Sequence, residues 1–143
     1  MKKSLPFHTL ALLTGFASFA ALLYTPAIPD IMREFGISEN TAHMTMTVFL
    51  FGYMFGAWVY GPITNRIGRK PTITIGVGIG FLGTLISVFA AHTLSFVLLM
   101  VGLFVIAVGT SVGLVIAFAM INDVYEGAEA RKIISYATMA FAV

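Results

Sequence analysis

The residues able to do chemistry in this 143-residue chain are few: eight Lys+Arg, six Asp+Glu, three His and no Cys. A chain without Cys has no disulfide framework, no thiol catalysis and no Cys-based zinc site. His8, His43 and His92 sit near the ends of apolar runs, and no two share a helix face at ligand spacing, so no metal centre is expected. No nucleophile stands beside a base, and no cofactor motif is present. Gly76-Val77-Gly78-Ile79-Gly80 imitates a phosphate loop, but it lies inside an uncharged apolar stretch rather than at a strand-to-helix turn. The richest string is Gly61-Pro62-Ile63-Thr64-Asn65-Arg66-Ile67-Gly68-Arg69-Lys70-Pro71, which reads as a short loop with two glycines and three cations. Such cations meet headgroup phosphates, helix C-termini or carboxylates within the protein. By charge alone the string serves equally well as a membrane anchor or as a functional element. A second polar segment, Asp123 to Lys132, carries Asp123 and Arg131. Tyr24-Thr25-Pro26-Ala27-Ile28-Pro29 holds a proline pair, and Pro26, which removes a backbone donor and crowds the preceding turn, is expected to bend or end a helix there.

The elements that must position these groups follow from hydropathy. Only 10% of residues are charged and the mean hydropathy is +0.97, against about 25% charged in soluble domains. That composition nearly excludes a soluble enzyme. The pI of 9.1 reflects a surplus of two charges and is no nucleic-acid signature. Between Lys3 and Asp30 lie 26 uncharged residues, and between Glu39 and Arg66 another 26. From Pro71 to Asn122 there are 52, which at about 1.5 Å per residue far exceed a hydrocarbon core of about 30 Å. This last run must fold back once, at Ala90-Ala91-His92-Thr93-Leu94-Ser95. The pattern predicts an all-α integral membrane protein with spans at about 5–29, 41–63, 71–91 and 96–122, and the start of a fifth at 133–143. The apolar run after Lys2-Lys3 continues past Ala20 to Ile28, which favours an uncleaved first helix over a secretory signal.

Seven of the eight basic residues (Lys2, Lys3, Arg66, Arg69, Lys70, Arg131, Lys132) fall on one side of this zigzag and only Arg33 on the other. The positive-inside rule then places the N-terminus and both basic segments in the cytoplasm, with Asp30 to Asn40 as an outer loop, in a multi-pass protein of the inner membrane. Small residues recur at helical spacing: Gly76, Gly80, Gly83, Ser87 and Ala91 in the third span, Gly102, Gly109, Gly113 and Ala117 in the fourth, Thr41, Thr45, Gly52 and Gly56 in the second. In lipid, helices associate by close backbone approach, so these stripes are expected to be packing faces. Tyr53, Trp58 and Tyr60 read as bundle packing and an interfacial belt.

The ordered basic string resembles the loop between the second and third helices of the major facilitator superfamily, whose pattern is Gly, three residues, Asp, Arg, one residue, Gly, Arg, then Arg or Lys. Gly61, Arg66, Gly68, Arg69 and Lys70 match, and Asn65 replaces the Asp. Tyr24 to Ile31 is similar to the first-helix segment of the bicyclomycin-resistance-like drug:proton antiporters. Phe51 to Pro71 and Asn122 to Ala130 resemble the same branch. The resemblance implies twelve helices in two six-helix halves with the substrate bound between them, and a charge network at the second-to-third loop that holds the cytoplasmic side closed. Gly61, Pro62, Asn65, Arg66, Gly68, Arg69 and Lys70 would form that gating loop, Tyr24, Thr25, Pro26 and Pro29 a bend beside the cavity, and Asp123 and Arg131 the fourth-to-fifth loop. The positions where these antiporters place a first-helix acid, a second-helix Gln, a fourth-helix Arg and an Arg before Asp123 read Leu22, Ala57, Leu103 and Asn122. Asn65 retains the capacity to cap a neighbouring helix N-terminus.

The function expected is thus part of a secondary efflux transporter whose partners are the lipid bilayer, a small-molecule substrate and the remainder of a longer transporter. A four-helix dimeric exporter would need a membrane-embedded Glu in the first helix, and none is present. A non-transporting remnant or membrane interaction module is the other alternative.

Overall fold

The computed structural model describes residues 25–124 and 134–135. The first-span expectation over 5–24, with Tyr24, lies outside the described residues, as do Arg131 and, Ile134 and Ser135 excepted, the expected fifth span. Within the described residues the chain is built from a 3₁₀ turn (Thr25–Ala27) and four α-helices, with no strand: α1 (Ile28–Phe35), α2 (Glu39–Ile67), α3 (Arg69–Thr93) and α4 (Phe96–Val124). The last three are long and apolar enough to cross a membrane.

The segment Asp30 to Asn40, expected as an outer loop, is helical as far as Phe35. Ile28, Ile31, Met32 and Phe35 recur at helical spacing, Pro29 sits in the first turn where its missing N–H costs nothing, and Gly36 ends the helix in the left-handed region (φ 61°). Asp30, Arg33 and Glu34 occupy the exposed side. Phe35 meets the Phe96 ring edge-on with centroids 6.1 Å apart, joining α1 to the start of α4. Ser38 then opens α2, its hydroxyl accepting the Thr41 N–H at 3.4 Å, an arrangement worth about 1 kcal/mol.

The largest departure from expectation lies at the other end of α2. Gly61 to Ile67, read from the sequence as loop, continues the helix straight through Pro62. A proline there forfeits one backbone bond, but a chain leaving the helix at Gly61 would strand several amides beside hydrocarbon, which costs more. The connection to α3 shrinks to the single residue Gly68, at φ 87° and ψ 172°, a region open essentially to glycine. Its N–H bonds the Thr64 carbonyl at 3.1 Å and its own carbonyl accepts the Thr72 hydroxyl at 2.6 Å. No side chain caps α3, so Asn65, exposed on the last turn of α2, does not perform the capping expected of it. At the far end α3 runs past His92 to Thr93, and the turn is Leu94-Ser95, with Leu94 left-handed (φ 50°).

Helix α4 lies between α2 and α3, which scarcely touch each other. Against α2, Gly52 faces the Phe104 carbonyl and Ala107, and Gly56 faces Val108 and Ser111. Against α3, Gly76 meets Val112 and Gly109, Gly83 meets Ile106 and Gly102, and Gly109 abuts the backbone of Gly80. Gly113 is half-buried and Ala117 fully buried. The α3 stripe curves to Ala90 rather than Ala91, because a period of about 3.6 residues returns to the same face at 87 and 90. Tyr60, Val112 and Ile116 form the buried apolar cluster. Outward-facing side chains such as Phe51, Trp58, Phe81 and Val97 are large, apolar and exposed, which suits lipid as their solvent.

Candidate functional site

The one-residue turn at Gly68 determines where the cations go. With α3 beginning at Arg69, this side chain emerges from the first turn of α3 toward the antiparallel end of α4. Its Nη2 donates to the Ala119 carbonyl at 3.1 Å and pairs with an Asp123 carboxylate oxygen. Ala119 lies in the last two turns of α4, toward the negative end of the helix dipole, and its carbonyl offers a second lone pair beside its intrahelical bond. Arg69 therefore bonds both the backbone and the Asp123 carboxylate of α4, clasping the α2–α3 corner to that helix. The Arg69 side chain is 31% exposed and that of Asp123 64%, so water reaches the clasp from the Asp123 side.

Of the other residues expected in the gating loop, Gly61 and Pro62 lie within α2, and no atom would touch a Cβ placed on Gly61. Asn65, Arg66 and Lys70 are exposed, and among the described residues Arg66 and Lys70 form no ion pair. Three cations close in sequence thus do different things: one is inserted and two face outward. Thr25 and Pro26 belong to the 3₁₀ turn, and Pro29 is the second residue of α1, exposed. Asp123 falls in the last turn of α4 rather than in a loop. Leu103, at the position where the resembling antiporters carry a base, is 9% exposed within the bundle.

Sequence reasoning named Arg69 and Asp123 separately and did not pair them, since 54 positions separate them and the pairing depends on the antiparallel register of α3 and α4. It also missed Ser111, a buried hydroxyl opposite Gly56 that bonds its own Val108 carbonyl at 2.7 Å. At the opposite end of α2, His43 and Glu39 approach to 3.8 Å on one exposed face, one turn apart.

The chain is 34% identical over 134 residues to Multidrug resistance protein D of Escherichia coli (strain K12), covering 94% of this chain and 33% of that protein. It is 30% identical over 130 residues to the Chloramphenicol resistance protein of Pseudomonas aeruginosa (88% and 30%). It is 28% identical over 133 residues to the Bicyclomycin resistance protein homolog of Haemophilus influenzae (93% and 33%). The chain spans about a third of the length of these curated relatives. No solved structure matches it. The sequence pattern of the Major Facilitator Superfamily matches residues 10–143, a range that holds all three long helices and the Arg69–Asp123 clasp, and the chain belongs to that family of membrane transporters.

Proposed function

We propose that this chain forms part of the first six-helix bundle of a small-molecule efflux antiporter that works by alternating access, with Arg69 and Asp123 latching the cytoplasmic side. The observation that carries this reading is the clasp itself. It ties the α2–α3 corner to the end of α4 through a charge pair that water can reach, so it can break and re-form as the cytoplasmic side opens and closes. The relatives' names, with their chloramphenicol, bicyclomycin and multidrug resistance, support drug-like substrates. The spans described here hold no mid-membrane carboxylate or Arg, groups that persist in lipid chiefly where they carry protons, ions or substrates. Proton coupling is therefore assigned to helices beyond these.

The reading is tested in everted vesicles from cells that lack their own exporters and express an intact transporter carrying this segment. Chloramphenicol or another drug of the relatives' spectrum should accumulate when a proton gradient is imposed and leak out when it is collapsed. Accumulation no greater than in vesicles without the protein counts against the assignment.

The seven-to-one distribution of basic residues supports a cytoplasmic Gly68 end in the inner membrane. The Cys-free chain makes this directly measurable. Cysteine at His92 or Glu39, both exposed, is expected to react with an impermeant thiol reagent added outside intact cells, while cysteine at the exposed Lys70 reacts only after permeabilisation. The reverse pattern would invert the topology.

A further inference from the structure

Two hydroxyls on the inner face of α2 have no protein partner. Tyr60 is 2% exposed and Thr64 6%, and neither side-chain oxygen makes a hydrogen bond. Three other buried hydroxyls in this bundle return to their own backbone, Thr45 to the Ala42 carbonyl, Thr72 to Gly68 and Ser111 to Val108, while Ser87 on α3, facing Gly102, is also without a partner. A phenol cannot do so, because its oxygen stands beyond the reach of its own helix. Its partner must come from across the packed interface. An unpaired hydroxyl between apolar helices is costly, and membrane proteins relieve that cost with side chains or ordered water.

The register of α4 locates the pair next to the clasp. The Tyr60 ring packs on Val112 and Ile116. Arg69 reaches the Ala119 carbonyl, three residues on, or about 4.5 Å along the axis. Thr64, one turn beyond Tyr60 on the same buried stripe of α2, falls at the level between them. Arg69 commits Nη2 to both Ala119 and Asp123, which leaves the N–H groups of Nε and Nη1 as donors. Two hydroxyls and a guanidinium edge thus supply the two to four polar partners that an internal water needs. Deeper in the bundle the interface closes, since Gly56 presses on Val108 and Ser111 and Gly52 on Phe104 and Ala107 with no room for a further atom.

We propose that Tyr60 and Thr64 form an internal hydration site, in which water enters from the half-exposed clasp and bridges their hydroxyls to the free edge of Arg69. Tyr60 marks the inner limit of water at the Gly68 end, and the glycine contacts at Gly56 and Gly52 are the dry seal above it. This site depends on the packing of α2 and α4 and not on the transport reading, so the two stand or fall separately.

The test is hydroxyl-radical labelling by X-ray radiolysis of the full 143-residue chain in lipid nanodiscs, with rates divided by each residue's intrinsic reactivity. Radicals born on bound water label the side chains that hold it. Tyr60 is expected to react at no less than one-third of the rate of His92, exposed in the last turn of α3, despite its burial, and a lower rate overturns the proposal. In Thr64→Val the Tyr60 rate should fall at least threefold with His92 unchanged, and a smaller fall overturns it. Tyr60→Phe supplies a second measurement that reads the hydroxyl alone. It should lower the unfolding midpoint, whereas an unchanged or raised midpoint identifies a hydroxyl without a partner and refutes the site.

Discussion

Alanine at Gly109 is expected to loosen α3 from α4, while alanine at Gly80, the glycine it faces, is expected to be nearly silent. A methyl group at Gly109 would lie 2.6 Å from the Gly80 Cα and 2.7 Å from the Gly76 carbonyl oxygen, and it would also collide with the Gly80 nitrogen. All three are backbone atoms of α3, so no side-chain rotation relieves the clash and the helices must separate. A methyl at Gly80 would meet only the Gly109 Cα, at 3.9 Å, which is ordinary contact. The difference arises because each Cβ leaves its helix in a fixed direction, so two facing glycines need not be equally crowded. Overpacking of this kind costs about 1–3 kcal/mol, and here it strikes the interface that must form without a hydrophobic driving force. Unfolding titrations in mixed micelles should therefore rank Gly109→Ala well below Gly80→Ala, with the latter within about 0.5 kcal/mol of the parent. Gly78→Ala, with nothing within 4 Å, is the matched control for helix propensity and should be no worse than Gly80→Ala. Equal destabilisation at 80 and 109 would contradict the α3–α4 register described here.

Removal of the Arg69 guanidinium is expected to cost an intact transporter carrying this segment at least tenfold in transport rate, and removal of the Asp123 charge alone considerably less. Arg69→Ala deletes two interactions, one to the Asp123 carboxylate and one to the Ala119 carbonyl. Asp123→Asn deletes only the charge of the first and leaves the bond to the Ala119 carbonyl intact. The pair itself is modest: with side chains 31% and 64% exposed, solvent screening holds its coupling to about 1 kcal/mol. A small equilibrium term would suit the proposed latch, which has to open and close in every cycle, because a much stronger bond would trap one state. Exchanging the charges, Arg69→Asp with Asp123→Arg, should recover part of the rate lost in either single variant, since it restores the attraction without the Ala119 bond. Full activity in Arg69→Ala would remove the clasp from the mechanism.

The second, third and fourth spans were legible because lipid imposes a length. The charge-free run of 26 residues after Glu39 and that of 52 after Lys70 could only be one helix and two. Small-residue stripes were legible for a related reason, since 3.6-residue spacing marks a face whatever lies opposite. The partner of each face was not. Nothing in the string of glycines says that α2 and α3 both pack on α4 and avoid each other. Polar termini were read poorly. Gly61-Pro62 and the cations suggested loop at one end, Asp30 to Asn40 at the other, and both segments are largely helical. Helix-breaking propensities measured in water lose force where the backbone has no water to turn to, and a short amphipathic helix such as α1 gives little periodic signal before its partner is known. Among the candidate site residues, Gly68 and Arg69 stood out through the ordered string, whereas the orphan hydroxyls of Tyr60 and Thr64 are properties of the packed bundle and have no local signature.

The single-residue corner at Gly68 also sets a mechanical scale. Two rods of 29 and 25 residues leave it, roughly 43 and 37 Å long at about 1.5 Å per residue, and beyond the corner they are joined mainly through α4. A change of about 5° in the angle between them, well within what one glycine's torsions accommodate, displaces the far end of α2 by about 4 Å. That far end adjoins Ser38, His43 and the contact of Phe35 with Phe96. The corner is thus the short arm of a lever and the Phe35–Phe96 end the long one, so if the proposed latch opens, a sub-ångström adjustment beside Arg69 would arrive at the far end of α2 as a movement the width of a side chain.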